Sequence, residues 1–457
     1  MNLPNYFLAD LPPEATLNAN MIEEACQTLK RNREHYLAGR QTTGLIKIIS
    51  ETAANWLENE YPFRQLALTQ GPQATGFSAA TIASGLDAFF RQLTAENMRA
   101  LLVQDLGHGQ RLDELCATKE ESAAQRASRA QGPEFLAHIT GGVIPNPVIL
   151  DIILGLLLRS AQFVKCARNT SFLPRLFAHS LYDADSKLGA CLEIAEWAGG
   201  TAHLEEALFK ETDCVTAMGS DETLVKIRHR LSPRTRFLGY GHRVSFGYVA
   251  HEALSGFNPK KVVARAAADV VAWNQLGCLS PHIIYVENGG GMSAEGFAEA
   301  LAVELARREQ IEPRGELPPE SAAVIASKRA FYQVRAAHSP DTRHWCSENS
   351  TAWTVVFEAD PRFQLSCLNR FIYVKGVTKV TEALQNADSV RGKVSTVGLA
   401  ATEDKAPEIA AALTRWGVTR ICPLGQMQNP PLLWRHDGRP SLGDLVTWTD
   451  WEQGESR

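Results

Sequence analysis

The chain has 457 residues, 45% of them apolar and 21% charged, enough for two or three domains with ordinary globular cores. Its formal net charge of −5 gives no electrostatic reason to expect nucleic acid or an anionic membrane surface as a partner. The nine cysteines are spread without C-x-x-C pairs or histidine clusters, which argues against a disulfide framework and a zinc site and for a reducing cytoplasm.

The first residues, Met1 to Tyr6, lack a basic segment followed by an apolar one, so no secretory signal is expected. Up to about residue 130 the pattern is mainly helical. Leu45–Ala53 and Ser78–Phe90 are amphipathic at helical spacing, and Thr94 caps a helix that ends near Gly107. Ala117–Gln131, charged and rich in Ala and Ser, reads as a surface helix or a loose connection. The most apolar run, Val148–Leu158, contains Asp151 and is too short for a bilayer, so it predicts a core helix and no membrane span.

From residue 134 strands and helices alternate. Strands are expected at Phe135–Ile139, Ala161–Lys165, Cys214–Met218 and Arg236–Tyr240. Helices are expected at Pro147–Ser160, along a stretch ending at Gly199-Gly200, and at Asp221–Arg230. This rhythm predicts an α/β fold with a doubly wound parallel sheet, which binds ligands at the carboxyl ends of its strands. A second such unit starts near residue 246, with a helix over 248–276, a turn holding Cys278, a strand over 282–287 and a helix over 293–308. Ile311–Glu320 reads as a surface loop, Phe371–Lys375 and Val394–Leu399 as further strands. The last segment carries Trp434, Trp448 and Trp451 and reads as an arm packed on the body or on a second subunit.

Cys278 lies in Asn274-Gln275-Leu276-Gly277-Cys278-Leu279-Ser280-Pro281, where Gly277 and Pro281 favour a tight turn between helix and strand. A thiol on such a turn is placed to attack an electrophile, with nearby backbone N–H groups to receive an oxyanion. The competing reading is a buried, inert cysteine. Three strand ends in the first unit suit a nucleotide. Thr140-Gly141-Gly142 opens a helix and permits close backbone approach, or is glycine-rich for structural reasons alone. Lys165 and Arg168 are either a grip on an adenosine ribose and 2′-phosphate, favouring NADP, or a pair of solvated cations. Gly219 and Ser220 start a helix whose N–H groups suit a pyrophosphate, with Ser220 also a plain N-cap. Gly239-Tyr240-Gly241-His242-Arg243 matches the start of the citrate synthase histidine signature, but the later acidic and basic positions are absent.

Gly277-Cys278-Leu279-Ser280-Pro281 followed by Ile283-Ile284-Tyr285-Val286-Glu287 resembles the nucleophile segment of the LuxC-type acyl-CoA reductases, fatty acid reductases of the aldehyde dehydrogenase superfamily. Matches run in the same order before it: His138-Ile139-Thr140-Gly141-Gly142, Phe163-Val164-Lys165 and Met218-Gly219-Ser220-Asp221-Glu222. Asn369–Lys375, Arg420–Gly425, His436-Asp437-Gly438 and Trp448–Glu452 follow, so the resemblance covers roughly 75 to 452.

The resemblance implies an aldehyde dehydrogenase-like fold: a Rossmann-like cofactor domain, an α/β catalytic domain and a small oligomerisation element. Set on the patterning above, this gives a helical region (1–130), a cofactor-binding domain (131–245), a catalytic domain (246–425) and a C-terminal arm (426–457). It makes Cys278 the acyl-accepting nucleophile, Lys165 the ribose ligand, and Gly219 and Ser220 the turn at the cofactor phosphates. The implied activity is NADPH-dependent reduction of an acyl-CoA or acyl-carrier thioester to the aldehyde. An acyl-protein synthetase subunit and a second copy of the chain are the implied partners. Hydrolytic relatives place a water-activating Glu after the strand that follows the Gly-Ser turn, whereas Phe237–Ala250 here holds no Asp or Glu. His242 lies in that stretch and is a candidate for proton transfer to Cys278 or a structural residue. Val143 stands where the family commonly carries an oxyanion-binding Asn, with Asn146 just downstream. The alternatives are an aldehyde dehydrogenase working oxidatively and a non-redox acyltransferase or docking subunit.

Overall fold

The computed structural model describes residues 3–12, 14–255 and 259–454. After β1 (Arg126–Gln131) come β2 (Phe135–Ile139), β3 (Ala161–Cys166), β4 (Leu192–Glu196), β5 (Cys214–Met218) and β6 (Arg236–Tyr240). The last five form one parallel sheet in the order β4-β3-β2-β5-β6. β2 and β3 are buried at every position, as expected of strands covered by helices on both faces. One face packs Phe135, Ala137 and Phe163 against Leu204 and Leu208 of the helix Ala202–Lys210 and against Ile22, Cys26 and Leu29 of the helix Ala19–Tyr36.

A second sheet holds β7 (Val244–Val249), β8 (Pro281–Glu287), β9 (Thr342–Cys346), β10 (Thr354–Glu358), β11 (Phe371–Val377), β12 (Val394–Ala400) and β13 (Arg420–Pro423). Their order is β13-β12-β7-β8-β11-β10-β9, parallel except for the antiparallel edge pair β10/β9. Alternation sorts the core: Ile284, Val286, Ile372 and Val374 meet the helices Pro259–Val271 and Ala294–Ile311. Ile283, Tyr285, Phe371 and Tyr373 meet Ile325, Tyr332, Ile409 and Leu413 on the other face. The last strand, β14 (Thr447–Glu452), pairs antiparallel with β1.

Two compact units result, one drawn from Met1–Thr75, Leu86–Gly241 and Pro431–Arg457, the other from Gly76–Gly85 and His242–Pro430. The helical N-terminal region and the C-terminal arm therefore form no units of their own: most of each belongs to the first unit, while Gly76–Gly85 and the residues up to Pro430 belong to the second. Among the described residues no helix is long and apolar enough to cross a membrane.

Three expectations are corrected. Among the described residues of the helix expected over 248–276, Pro259–Val271 is α-helical with short 3-10 turns at His251–Leu254 and Ala272–Gln275, and the stretch begins inside the strand β7. β7 is buried on both faces between β12 and β8, so its sequence lacks the polar alternation that marks a half-exposed strand. The long helical stretch before Gly199 contains β4, whose Leu, Glu and Ala favour a helix until the sheet overrides them. Ala117–Gln131 is a short helix, Lys119–Ala123, followed by β1.

Candidate functional site

In the first unit the chain moves outward from β2 through β3 and β4, then returns to the other side of β2 with β5 and β6. The crevice past the carboxyl ends of β2 and β5 is where such sheets take ligands. Thr140 and Gly141 leave β2 there, and Gly219 and Ser220 leave β5. A Cβ on Gly141 would lie 2.6 Å from the Met218 carbonyl oxygen, so the two loops can meet only with glycine at that position. Gly142, at φ +83, has open space where its Cβ would be. The Thr140 N–H donates to the Lys165 carbonyl at 3.0 Å, tying this loop to β3.

Ser220 Oγ accepts from the Thr223 N–H at 3.2 Å and is the N-cap of the helix Asp221–Arg230. The first turn of that helix carries Asp221 and Glu222, which oppose an anion placed directly on its axis. Lys165 is not a solvated cation: it is 3% exposed, with its ammonium 5.8 Å from the centre of the Trp197 ring. Burial lowers its pKa against the upward pull of Glu205 and Glu196. Arg168 is exposed on the following loop. Glu196 anchors that loop, accepting from the N–H groups of Asn169 (2.7 Å) and Ser171 (3.1 Å). Beside it lies a cavity of about 440 Å³ lined by Gln73, Ala74, Asn169, Ser171, Phe172, Arg175 and Glu196. A close glycine approach, an open backbone at Gly142, a buried lysine at the end of β3 and an exposed arginine just past it fit an extended dinucleotide.

Cys278 belongs to the second unit, and of the nine cysteines it alone is exposed. Burial pushes the thiols of Cys26, Cys166, Cys191, Cys214 and Cys422 up to about 12, where they stay protonated and inert. The turn around Cys278 is closed by the Ser280 N–H donating to the Gly277 carbonyl at 3.0 Å. Ser245 Oγ, on β7, donates to the Cys278 carbonyl at 2.7 Å. Gln428 donates from its amide to Ser280 Oγ, and that amide fills the place a Cβ on Gly277 would take.

The segment leading into the turn is left-handed at three consecutive non-glycine residues, with φ 49° at Trp273, 53° at Asn274 and 64° at Gln275. Each such residue costs roughly 1–2 kcal/mol, so surrounding contacts must over-determine the conformation. A second left-handed run, Leu368, Asn369 and Arg370, precedes β11. Gln275 Nε2 donates to the carbonyls of Pro281 (2.7 Å) and Phe371 (3.0 Å), linking the two runs.

His282 is the extra residue of a bulge, since Ser245 pairs with Pro281 and Phe246 already with Ile283. The Ser366 N–H donates to its Nδ1 at 3.1 Å, which leaves the ring proton on Nε2. Burial, and then the neighbouring His242, lower its pKa to about 4, so the imidazole is neutral. His242 is exposed, in the loop before β7. The structure thus gathers His242, Ser245, His282 and the Cys278 turn at one end of β7 and β8. At the other end His251 has Glu252 3.3 Å from Nε2 and Glu287 3.5 Å from Nδ1. These three side chains bring one donor atom each within 4.8 Å of one another.

Sequence reasoning placed the thiol, the glycine loops and the cations but missed Ser245, Gln428, Arg370 and His282. Arg370 stood in a quoted motif without a role. Gln428 carries no signal at all, being 148 residues from the Ser280 it bonds.

The sequence profile of the acyl-CoA reductase (LuxC) family matches residues 37–448. A search of curated protein sequences finds no match. Among solved structures, a bifunctional proline utilization A protein is similar with a TM-score of 0.72 and 16% identity, over 96% of this chain and 45% of that one. This chain therefore spans less than half of that protein. The putative aldehyde dehydrogenase PutA from Anabaena variabilis gives 0.67 at 15% identity, over 98% and 95% of the two chains. An NADP-dependent enzyme of E. coli gives 0.69 at 13% identity, over 95% and 90%. At such identities the likeness is one of fold, and the fold is that of the aldehyde dehydrogenases.

Proposed function

The chain belongs to the acyl-CoA reductase (LuxC) family of aldehyde-forming oxidoreductases, and from that premise we propose that it reduces a fatty acyl thioester, carried on CoA or an acyl carrier, to the aldehyde with NADPH. Cys278 is the nucleophile. Its thiolate attacks the acyl carbon, the carbon–sulfur bond to the carrier breaks, and the carrier thiol leaves with a proton supplied through His242. The backbone N–H of Cys278 receives the oxyanion, a contact worth about 3 kcal/mol when aligned. NADPH, when bound, supplies the hydride that takes the acyl carbon to the aldehyde level. Cys278 then departs as a thiolate, ready for the next acyl group.

Thr140, Gly141, Gly219 and Ser220 hold the cofactor diphosphate in this reading, Lys165 its ribose and Arg168 the 2′-phosphate. The lack of Asp or Glu in Phe237–Ala250 supports reduction over aldehyde oxidation, because an acyl-enzyme that meets no activated water survives until it is reduced. An acyl-protein synthetase subunit as acyl source and a homo-oligomeric assembly belong to the same reading.

The observation that carries it is the exposure of Cys278, alone among nine cysteines, on a turn braced by Ser245 and Gln428. The test mixes the protein with NADPH and a long-chain acyl-CoA and follows the nicotinamide absorbance. Consumption by the wild type, none by Cys278→Ala, and radiolabelled acyl group retained only on the wild type are expected. No NADPH oxidation with any acyl chain length would overturn the proposal.

A further inference from the structure

Resting on the nucleophile assigned above, we infer that Asn274 and Arg370 are positioning residues that aim Cys278 by holding two left-handed turns against each other. Arg370 is 1% exposed. Its Nε donates to Asn274 Oδ1 at 3.1 Å, and its Nη1 donates to Glu309 Oε2 and the Glu312 carbonyl, both at 2.8 Å. Asn274 Nδ2 donates to the Arg314 carbonyl at 2.8 Å, so both ends of the Asn274 amide are committed. The main chain of Arg370 is fixed as well, its carbonyl accepting from the Thr354 N–H at 2.9 Å.

This arrangement is costly as mere scaffolding. Six non-glycine residues adopt φ values that L side chains rarely take, in two runs that face each other through a buried guanidinium. Among the described residues, Arg370 Nη2 and Gln275 Oε1 are buried without a hydrogen-bond partner. Glycine would relieve the strain at Asn274, but it would remove the acceptor of Arg370 Nε. Position has been kept at the expense of local comfort, and the segment so positioned enters the Cys278 turn directly: the Leu276 N–H donates to the Trp273 carbonyl at 3.0 Å.

Asn274→Gly separates the two roles, because it accepts φ 53° without a Cβ and yet drops the amide. Its melting temperature is expected to change little, the relieved φ strain offsetting the lost amide contacts. Its rate of CoA release from acyl-CoA without nicotinamide should fall about 100-fold, the usual penalty of a misplaced reacting group, with KM little changed. The pH profile of iodoacetamide alkylation at Cys278, read by peptide mass spectrometry, should shift. Asn274→Asp, which keeps an acceptor for Arg370 but loses the donor to the Arg314 carbonyl, should recover part of the rate. Should Asn274→Gly melt early, Arg370→Lys, which keeps the charge beside Glu309 but loses Nε, is read by the same two assays. Wild-type rates and an unshifted alkylation profile in a folded variant would overturn the inference. If the wild type itself releases no CoA, the functional reading fails, while the alkylation profiles still decide whether the clamp aims the thiol.

Discussion

The two turns that bear the candidate chemistry are built by opposite means. At the ends of β2 and β5 the loops approach because side chains are missing, with Gly141 lying against the Met218 carbonyl. Around Cys278 the backbone is forced into place because side chains are present, with Ser245, Gln428, Asn274 and Arg370 each bonding a particular atom. The first device is local and rigid, since backbone meets backbone. The second is distributed and adjustable, since every brace ends in a rotatable amide, hydroxyl or guanidinium.

Adding one carbon to each turn exposes the contrast. Gly141→Ala is expected to show the largest effect, because a carbonyl 2.6 Å away cannot rotate aside. It should cost about 1–3 kcal/mol in thermal unfolding and weaken NADPH binding, followed by nicotinamide fluorescence. Gly277→Ala meets first the amide end of Gln428, the movable tip of a side chain, so its stability loss should be the smaller of the two, with CoA release slowed. Combining Gly277→Ala with Gln428→Ala should be less damaging than the sum of the single changes, a non-additivity that a thermal double-mutant cycle measures. Ser245→Ala removes the hydrogen bond to the Cys278 carbonyl and the one its Oγ accepts from the buried Thr396 N–H, and should cost about 1–2 kcal/mol in the same melts.

The cofactor-side sheet also has a pH signature. Burial raises the Asp151 carboxyl from 3.8 to about 8. A raised folded pKa means that the native state binds the proton more tightly, so this contribution is present below pH 4 and lost as pH rises through about 8. Asp151→Asn should remove that decline from denaturant melts taken across the range. His138, 3.9 Å away and lowered to about 4 by burial, acts in the opposite sense, with stability lost as pH falls from 6.5 toward 4. The smallest structural effect belongs to Arg168→Ala, an exposed site expected to stay within about 0.5 kcal/mol of wild type. Its readout is the ratio of NADPH to NADH affinity, which should fall.

The same contrast governs what could be read from the chain. Cys214–Met218 and Arg236–Tyr240 are short apolar runs closed by turn residues, and the strands β5 and β6 occupy those residues. Thr140-Gly141 and Gly219-Ser220 were legible as strand-end loops because glycine at a strand–helix junction has a local cause. β4 was hidden by helix-forming residues, and β7 by the gap of only three residues that separates it from β6. The braces of Cys278 were hidden for a different reason. Ser245 and Gln428 are ordinary polar residues until folding brings distant segments together, and no spacing rule links them to the thiol. Arg370 drew no role from its place before a strand, yet burial lowers its pKa to about 10 and its guanidinium sits in the interior.

The ribbon of β1 and β14 pairs residues 126–131 with 447–452, and Arg236 Nη1 reaches the Val446 carbonyl at 2.8 Å. The first unit thus encloses the second in chain order, beginning before it and finishing after it. A chain emerging from the ribosome can complete the thiol-bearing unit by residue 430, while β1 of the first unit still waits for its strand partner. Nascent chains arrested a few residues before β14 clears the exit tunnel should therefore protect the Cys278 turn from protease earlier than the β1 segment.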